Sequence, residues 1–140
     1  MDVYVDTCIY LNLWQKEEQD GRKYWKTAEL FFEKVGRQKS VIYYSGCILK
    51  ELQCLLPPIT FEEKKKLFET IPFKKIIVTN VEIERARFIE YKTKGSLSFY
   101  DIVHMLLAKK VDASLITRDK KLLALAQEYK IAAGYPEDFL

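Results

Sequence analysis

Four acidic side chains stand where a carboxylate is awkward unless something binds it. Asp6 ends the apolar run Val3, Tyr4, Val5 and is followed almost at once by a second apolar run, Ile9 to Trp14. A charge between two segments that both look built for burial is unfavourable without a partner. Glu51 lies in "CILKELQCLL" (47–56). On a wheel of about 100° per residue, Ile48, Leu49, Leu52, Leu55 and Leu56 share a broad apolar arc, with Lys50 and Gln53 opposite. Glu51 falls between Cys47 and Leu55, off the polar arc, and no Lys or Arg at a neighbouring helical position faces it. A carboxylate placed there is paired, protonated or bound to a metal. Asp101, three residues after Ser98, and Asp119, in "LITRDKKLL", complete the set.

Each aspartate also suits a plainer role. Asp6 and Asp119 sit where an N-cap is common, and Ser98 with Asp101 has capping-box spacing. Taken together the four would repel one another strongly unless a cation lay between them. Oxygen donors without a His or Cys cluster favour Mg2+ or Mn2+ over zinc. His104 is the sole histidine. Among apolar neighbours it reads as a structural side chain or a wall of the site, and no catalytic role is assigned to it.

The elements that must position these residues alternate. Short continuous apolar runs at 3–5, 41–44, 75–78 and 113–116, with a weaker one at 131–133, suit strands covered on both faces, as in a parallel sheet. Helical patterns lie between them: a pair at 9–19 and 22–36, a pair at 46–56 and 61–70, then single helices opened by Asn80, Ser98 and Asp119. Thr60 and Glu63 form a capping-box pattern for the helix after Pro57-Pro58. Strands separated by helices predict a parallel α/β sheet with right-handed crossovers, whose ligands bind beyond the carboxyl ends of the strands. Asp6 and Asp119 each follow such a strand.

At 140 residues, 49% of them hydrophobic and 31% charged, the chain suits one domain with one core, spanning 1–140. No apolar stretch approaches the roughly 20 residues needed to cross a bilayer, and no basic-then-apolar leader precedes Asp2. Three cysteines, Cys8, Cys47 and Cys54, without a CxxC pair, argue against a disulfide framework and a structural zinc site. A reducing cytoplasm is the expected compartment. The net charge of +3 permits a polyanion to approach without identifying one.

With these residues assembled, the chain resembles the PIN-domain family and, in size, the VapC-like toxin ribonucleases of type II toxin–antitoxin pairs. The matching pieces run nearly end to end: "VYVDTCIYL", "CILKELQCLL", "SFYDIVHMLLAKK", "LITRDKKLLALA" and the closing "GYPEDFL". The resemblance implies a Rossmann-like α/β/α sandwich with a central, mainly parallel sheet of about five strands. It implies an Mg2+- or Mn2+-dependent endoribonuclease site of Asp6, Glu51, Asp101 and Asp119. Asp6 and Asp101 are then the principal metal ligands, with Glu51 and Asp119 completing the coordination through waters and Thr7 and Thr117 in support. Arg118 and Lys120 are expected to touch the RNA backbone. A homodimer and an antitoxin whose tail enters the groove are also implied. Cys8, Phe99, Tyr100 and His104 depart from the family's usual smaller or polar residues and would narrow that groove. Tyr10, Trp14, Tyr24 and Trp25 are candidates for stacking on bases or lining a partner's groove, with core burial as their simpler role. The alternative function is a non-catalytic RNA- or protein-binding module of the same fold, or an RNA maturation or turnover nuclease outside a toxin–antitoxin pair.

Overall fold

Val3, Tyr4 and Val5 are wholly buried because their strand, β1 (Val3–Val5), runs through the middle of a sheet. The structure is a computed structural model that describes residues 1–140. From β1 the chain enters α1 (Thr7–Trp14), then a small antiparallel hairpin of β2 (Glu18–Gln19) and β3 (Arg22–Lys23), then α2 (Tyr24–Arg37). Strand β4 (Ile42–Ser45) leads to α3 (Gly46–Leu55), α4 (Pro58–Lys64) and a 3-10 turn over Lys65–Glu69. Strand β5 (Phe73–Ile76) precedes α5 (Asn80–Lys92) and α6 (Phe99–Lys110). Strand β6 (Ser114–Ile116), α7 (Lys120–Glu128), β7 (Ala133–Gly134) and a 3-10 turn over Pro136–Phe139 close the chain.

The main sheet has the order β5-β4-β1-β6-β7, and every neighbouring pair is parallel. The chain moves outward in one direction from β1 through β4 to β5, then returns across the sheet to β6 and continues to β7. Right-handed crossovers place the helices of these two runs on opposite faces, giving the α/β/α sandwich. Helix α1 packs on α2 and α3, α5 on α6, and α6 on α7. One cluster of 31 buried apolar residues links the layers, from Val3 to Ile131. The strand order reverses direction between β1 and β6, which is the switch point where open α/β sheets bind ligands. Backbone pairing of Tyr4 with Leu115 and of Val5 with Ile116 brings the residues after both strands side by side at that point.

Several local expectations give way to tertiary structure or to turn chemistry. Helix α1 stops at Trp14 rather than running to residue 19, because Asp20 and Gly21 take positive φ values of 52° and 76° and close a two-residue hairpin. An Asp-Gly pair is the expected signature of such a turn. Helix α4 begins at Pro58, where the missing N–H is harmless, so Thr60 lies inside it and opens nothing. Thr79 rather than Asn80 caps α5: both its backbone N–H and its hydroxyl donate to the Glu82 carboxylate, each at 2.9 Å. At the far end, the backbone of Gly134 approaches Phe139 so closely that an added Cβ would lie 2.8 Å from the ring, which only glycine permits. Leu115→Ala, at a fully buried position in β6, is expected to cost about 2–5 kcal/mol, measured as a lower urea midpoint at unchanged m-value.

Candidate active site

Asp6 leaves β1 in an extended conformation and its side chain turns back to cap α1. Its Oδ1 accepts from the Thr7 backbone N–H at 2.8 Å and its Oδ2 from the Thr117 hydroxyl at 2.7 Å. Only 5% of Asp6 is exposed. Thr117, the residue after β6, is fully buried and its Oγ1 also accepts from the Asp119 backbone N–H at 3.1 Å. One hydroxyl thus ties the end of β1 to the start of α7. Cys8 lies beside this pair, its Sγ 3.5 Å from Asp6 Oδ2, and burial drives its thiol pKa far above the ordinary value.

Glu51 does have a partner, supplied by another element. Its Oε1 accepts from the Thr7 hydroxyl at 3.0 Å and from His104 Nε2 at 2.5 Å. His104 sits on α6, one turn beyond Asp101, and is fully buried; its other ring nitrogen lies 2.7 Å from the Tyr4 hydroxyl. The Tyr4 hydroxyl in turn meets Ser45 Oγ at 2.7 Å. His104, read from the sequence as a structural side chain or a wall of the site, is thus bonded directly to one of the cleft carboxylates. A wheel of α3 cannot reveal a partner 53 residues away, although the spacing of Asp101 and His104 on one helix face was the available signal. Burial alone would lower the imidazole pKa, but the bond to Glu51 and the charges of Asp6, Glu51 and Asp101 outweigh it and raise it above the ordinary value.

The remaining two carboxylates stand at helix starts and also line the cleft: Ser98 caps the helix that carries Asp101, and Asp119 is itself a cap. Ser98 Oγ accepts from the Asp101 backbone N–H at 3.2 Å. Asp101 itself is half-buried, and burial, followed by the negative charge of Asp6, raises its pKa; Asp119 adds to the shift. Asp119 uses Oδ1 to accept from the N–H groups of Lys121 and Leu122, at 2.9 and 3.3 Å. Capping consumes one oxygen and leaves Oδ2 to the cleft.

Asp6, Glu51, Asp101 and Asp119 all line one cleft of about 380 Å3, together with Thr7, Cys8, Leu11, Leu55 and Arg118. Burial, and after it the charges of Asp6 and Asp119, make Asp101 resist ionisation, and a divalent cation would favour its charged form. Ligand atoms of Asp6, Glu51 and His104 lie within 4.8 Å of one another. Hard carboxylate oxygens dominate the set and fit Mg2+ or Mn2+. Thr7 and Thr117 hold the Glu51 and Asp6 carboxylates, respectively.

Arg118 is engaged within the fold. Its two terminal nitrogens donate to the two Glu137 oxygens, each at 3.0 Å, its Nε donates to Asn12 Oδ1 at 3.0 Å, and its guanidinium lies 3.9 Å from the Tyr24 ring centroid. Burial works against ionisation of Glu137, but the Arg118 bond prevails and lowers its pKa. Three of the five guanidinium N–H groups are used, so two can still donate. Lys120 is exposed at the edge of a wider depression of about 910 Å3 that shares Arg118 and Asp119 with the cleft. Of the aromatic candidates, Tyr10 is buried against Trp14, Phe32 and Phe68, whereas Tyr24 and Trp25 are half-buried.

A doubly wound parallel sheet with an acidic cleft at its switch point defines the class: an α/β protein whose site lies beyond the strand ends. The chain belongs to the PIN domain family, whose model matches residues 3–128. Among solved structures it is similar to a chain in the crystal structure of FitAcB from Neisseria gonorrhoeae, at 13% identity and a TM-score of 0.65, over 96% of this chain and 98% of that one. No curated protein sequence matches it. Asp101→Asn is expected to raise the Tm of the metal-free protein by about 2–4 °C, by removing a charge that burial and the neighbouring Asp6 disfavour. The same substitution is expected to abolish the further Tm gain on adding Mn2+, a pair of effects that differential scanning calorimetry reads directly.

Proposed function

We infer that the protein is a metal-dependent endoribonuclease and the toxin component of a type II toxin–antitoxin pair. The observation that carries the nuclease reading is the convergence of four carboxylates, from four different elements, on one cleft at the sheet's switch point. The resemblance to VapC-like toxins supports the narrower role. When bound, a divalent cation supplies polarisation of the scissile phosphate and a lowered pKa for water. Asp6 and Asp101 would hold Mg2+ or Mn2+, and Glu51 and Asp119 would accept hydrogen bonds from its waters. Thr7 and Thr117 restrain the carboxylates they bond, so little reorganisation is needed on loading. The two free N–H groups of Arg118, with Lys120, would meet phosphates of the RNA backbone beside the cleft.

A second copy of the chain is the expected cover for the exposed apolar residues of α5, where Val81, Phe88 and Tyr91 are 71%, 62% and 84% exposed. An antitoxin segment is the expected regulator of the cleft. No helix is long and apolar enough to cross a membrane. The free thiols of Cys8, Cys47 and Cys54 support action in a reducing cytoplasm. Cleavage of labelled single-stranded and structured RNAs tests the reading. Cutting is expected with Mg2+ or Mn2+, not with EDTA, and is expected to fall at least about 100-fold in Asp6→Asn and in Asp101→Asn. A folded wild type that binds RNA and metal yet cleaves nothing would instead favour the non-catalytic binding module.

A further inference from the structure

Every hydrogen bond to the Glu51 carboxylate falls on one of its two oxygens. Thr7 Oγ1 and His104 Nε2 both donate to Oε1, and Oε2 is left to the cleft that Glu51 lines. His104 has no rotational freedom with which to do otherwise. It is fully buried on α6, its Nδ1 is bonded to the Tyr4 hydroxyl in β1, and that hydroxyl is bonded to Ser45 at the end of β4. A relay of side chains from the centre of the sheet therefore ends on a single oxygen of Glu51. The geometry holds in either protonation state of the ring. With Nδ1 protonated it donates to Tyr4, and with Nδ1 bare it accepts from Tyr4, while Nε2–H donates to Glu51 in both cases.

We propose that His104, anchored by Tyr4 and Ser45, is a positioning residue that fixes the rotamer of Glu51 so that Oε2 faces the bound cation or its water. The inference rests on the metal-site reading above and deepens it. A Glu51 side chain has three rotatable bonds, and with its charge beside Asp6 it would swing toward solvent if it were not held. Direct ligation by His104 is not the role that the geometry favours. Asp6, Glu51, Asp101 and Asp119 wall the cleft, whereas His104 lies behind them with no exposed surface and its Nε2 aimed at Glu51. It acts through that carboxylate, as partners of metal ligands commonly do.

Isothermal titration of the full chain with Mn2+, on wild type and variants of confirmed near-UV circular dichroism, tests this. His104→Leu, which removes the donor, is expected to weaken Mn2+ binding about 10–100-fold. His104→Gln, whose amide can donate from a similar place, is expected to recover most of that loss. Because His104 acts through Glu51, the double variant His104→Leu/Glu51→Gln is expected to bind no more weakly than Glu51→Gln alone. If His104→Leu does not fold, Tyr4→Phe takes its place, with a smaller loss expected in the same direction. Unchanged affinity in the folded variants, or losses that add in the double variant, would overturn the proposal. So would direct nitrogen coupling to Mn2+ in pulsed electron paramagnetic resonance of protein labelled with 15N-histidine, an assignment made unambiguous by the single histidine of the chain. A wild type that binds no Mn2+ at all removes the metal-site reading itself, a result distinguishable from failure of the histidine's role alone.

Discussion

An aspartate almost wholly withdrawn from water at the end of a central strand is the constraint around which the rest of the structure is arranged. Asp6 is 5% exposed, and a carboxylate so placed is tolerable only with its oxygens satisfied. One donor comes from the first turn of α1 and the other from Thr117, just past the end of the neighbouring strand β6. The second depends on parallel pairing of β1 with β6 in a register that sets Val5 against Ile116. A slip of one residue would turn Thr117 to the opposite face and leave Asp6 without its second donor.

Glu51 poses the same difficulty and meets it differently. It stands on the cleft-facing side of α3 with 22% of its side chain exposed, and a fully buried imidazole serves as its counterpart. Asp6, Glu51 and His104 thus form a compact charged group supported from β1 through Tyr4. At Asp101, burial and then the charge of Asp6 outweigh the help of Ser98 and His104 and raise its pKa, so this side of the cleft disfavours its charge. Concentrating disfavoured charge where a ligand is to bind is a common exchange of stability for function.

The parallel sheet and its order of elements were legible in the sequence because continuous apolar runs and helical periodicity alternate without ambiguity. The placement of the aspartates at the cleft was legible too, since residues that end a strand or open a helix take positions largely independent of distant packing. Both roles foreseen for Asp6 and Asp119, capping and facing the cleft, coexist: each spends an oxygen on a helix and each lines the cleft. What escaped was long-range pairing. Nothing near Glu51 points to His104, and nothing near Arg118 points to Glu137, because those contacts exist only once the sheet has brought distant segments together. The hairpin at residues 18–23 is a different kind of miss, since Asp20-Gly21 carried the turn signal locally and a helical reading ran over it.

The position of β1 in the sheet has a consequence for the order in which the molecule comes into being. Its partners are β4 and β6, some 40 and 110 residues further along the chain. Thr117 follows Asp6 by 111 residues, so a ribosome delivers the two partners far apart in time. Closing such long loops precedes any reward from the contacts they make, which slows folding and makes it cooperative over the whole length. A nascent chain therefore carries Asp6 without a complete site until the segment through Asp119 has emerged. A product truncated before Asp119 would lack one wall of the cleft.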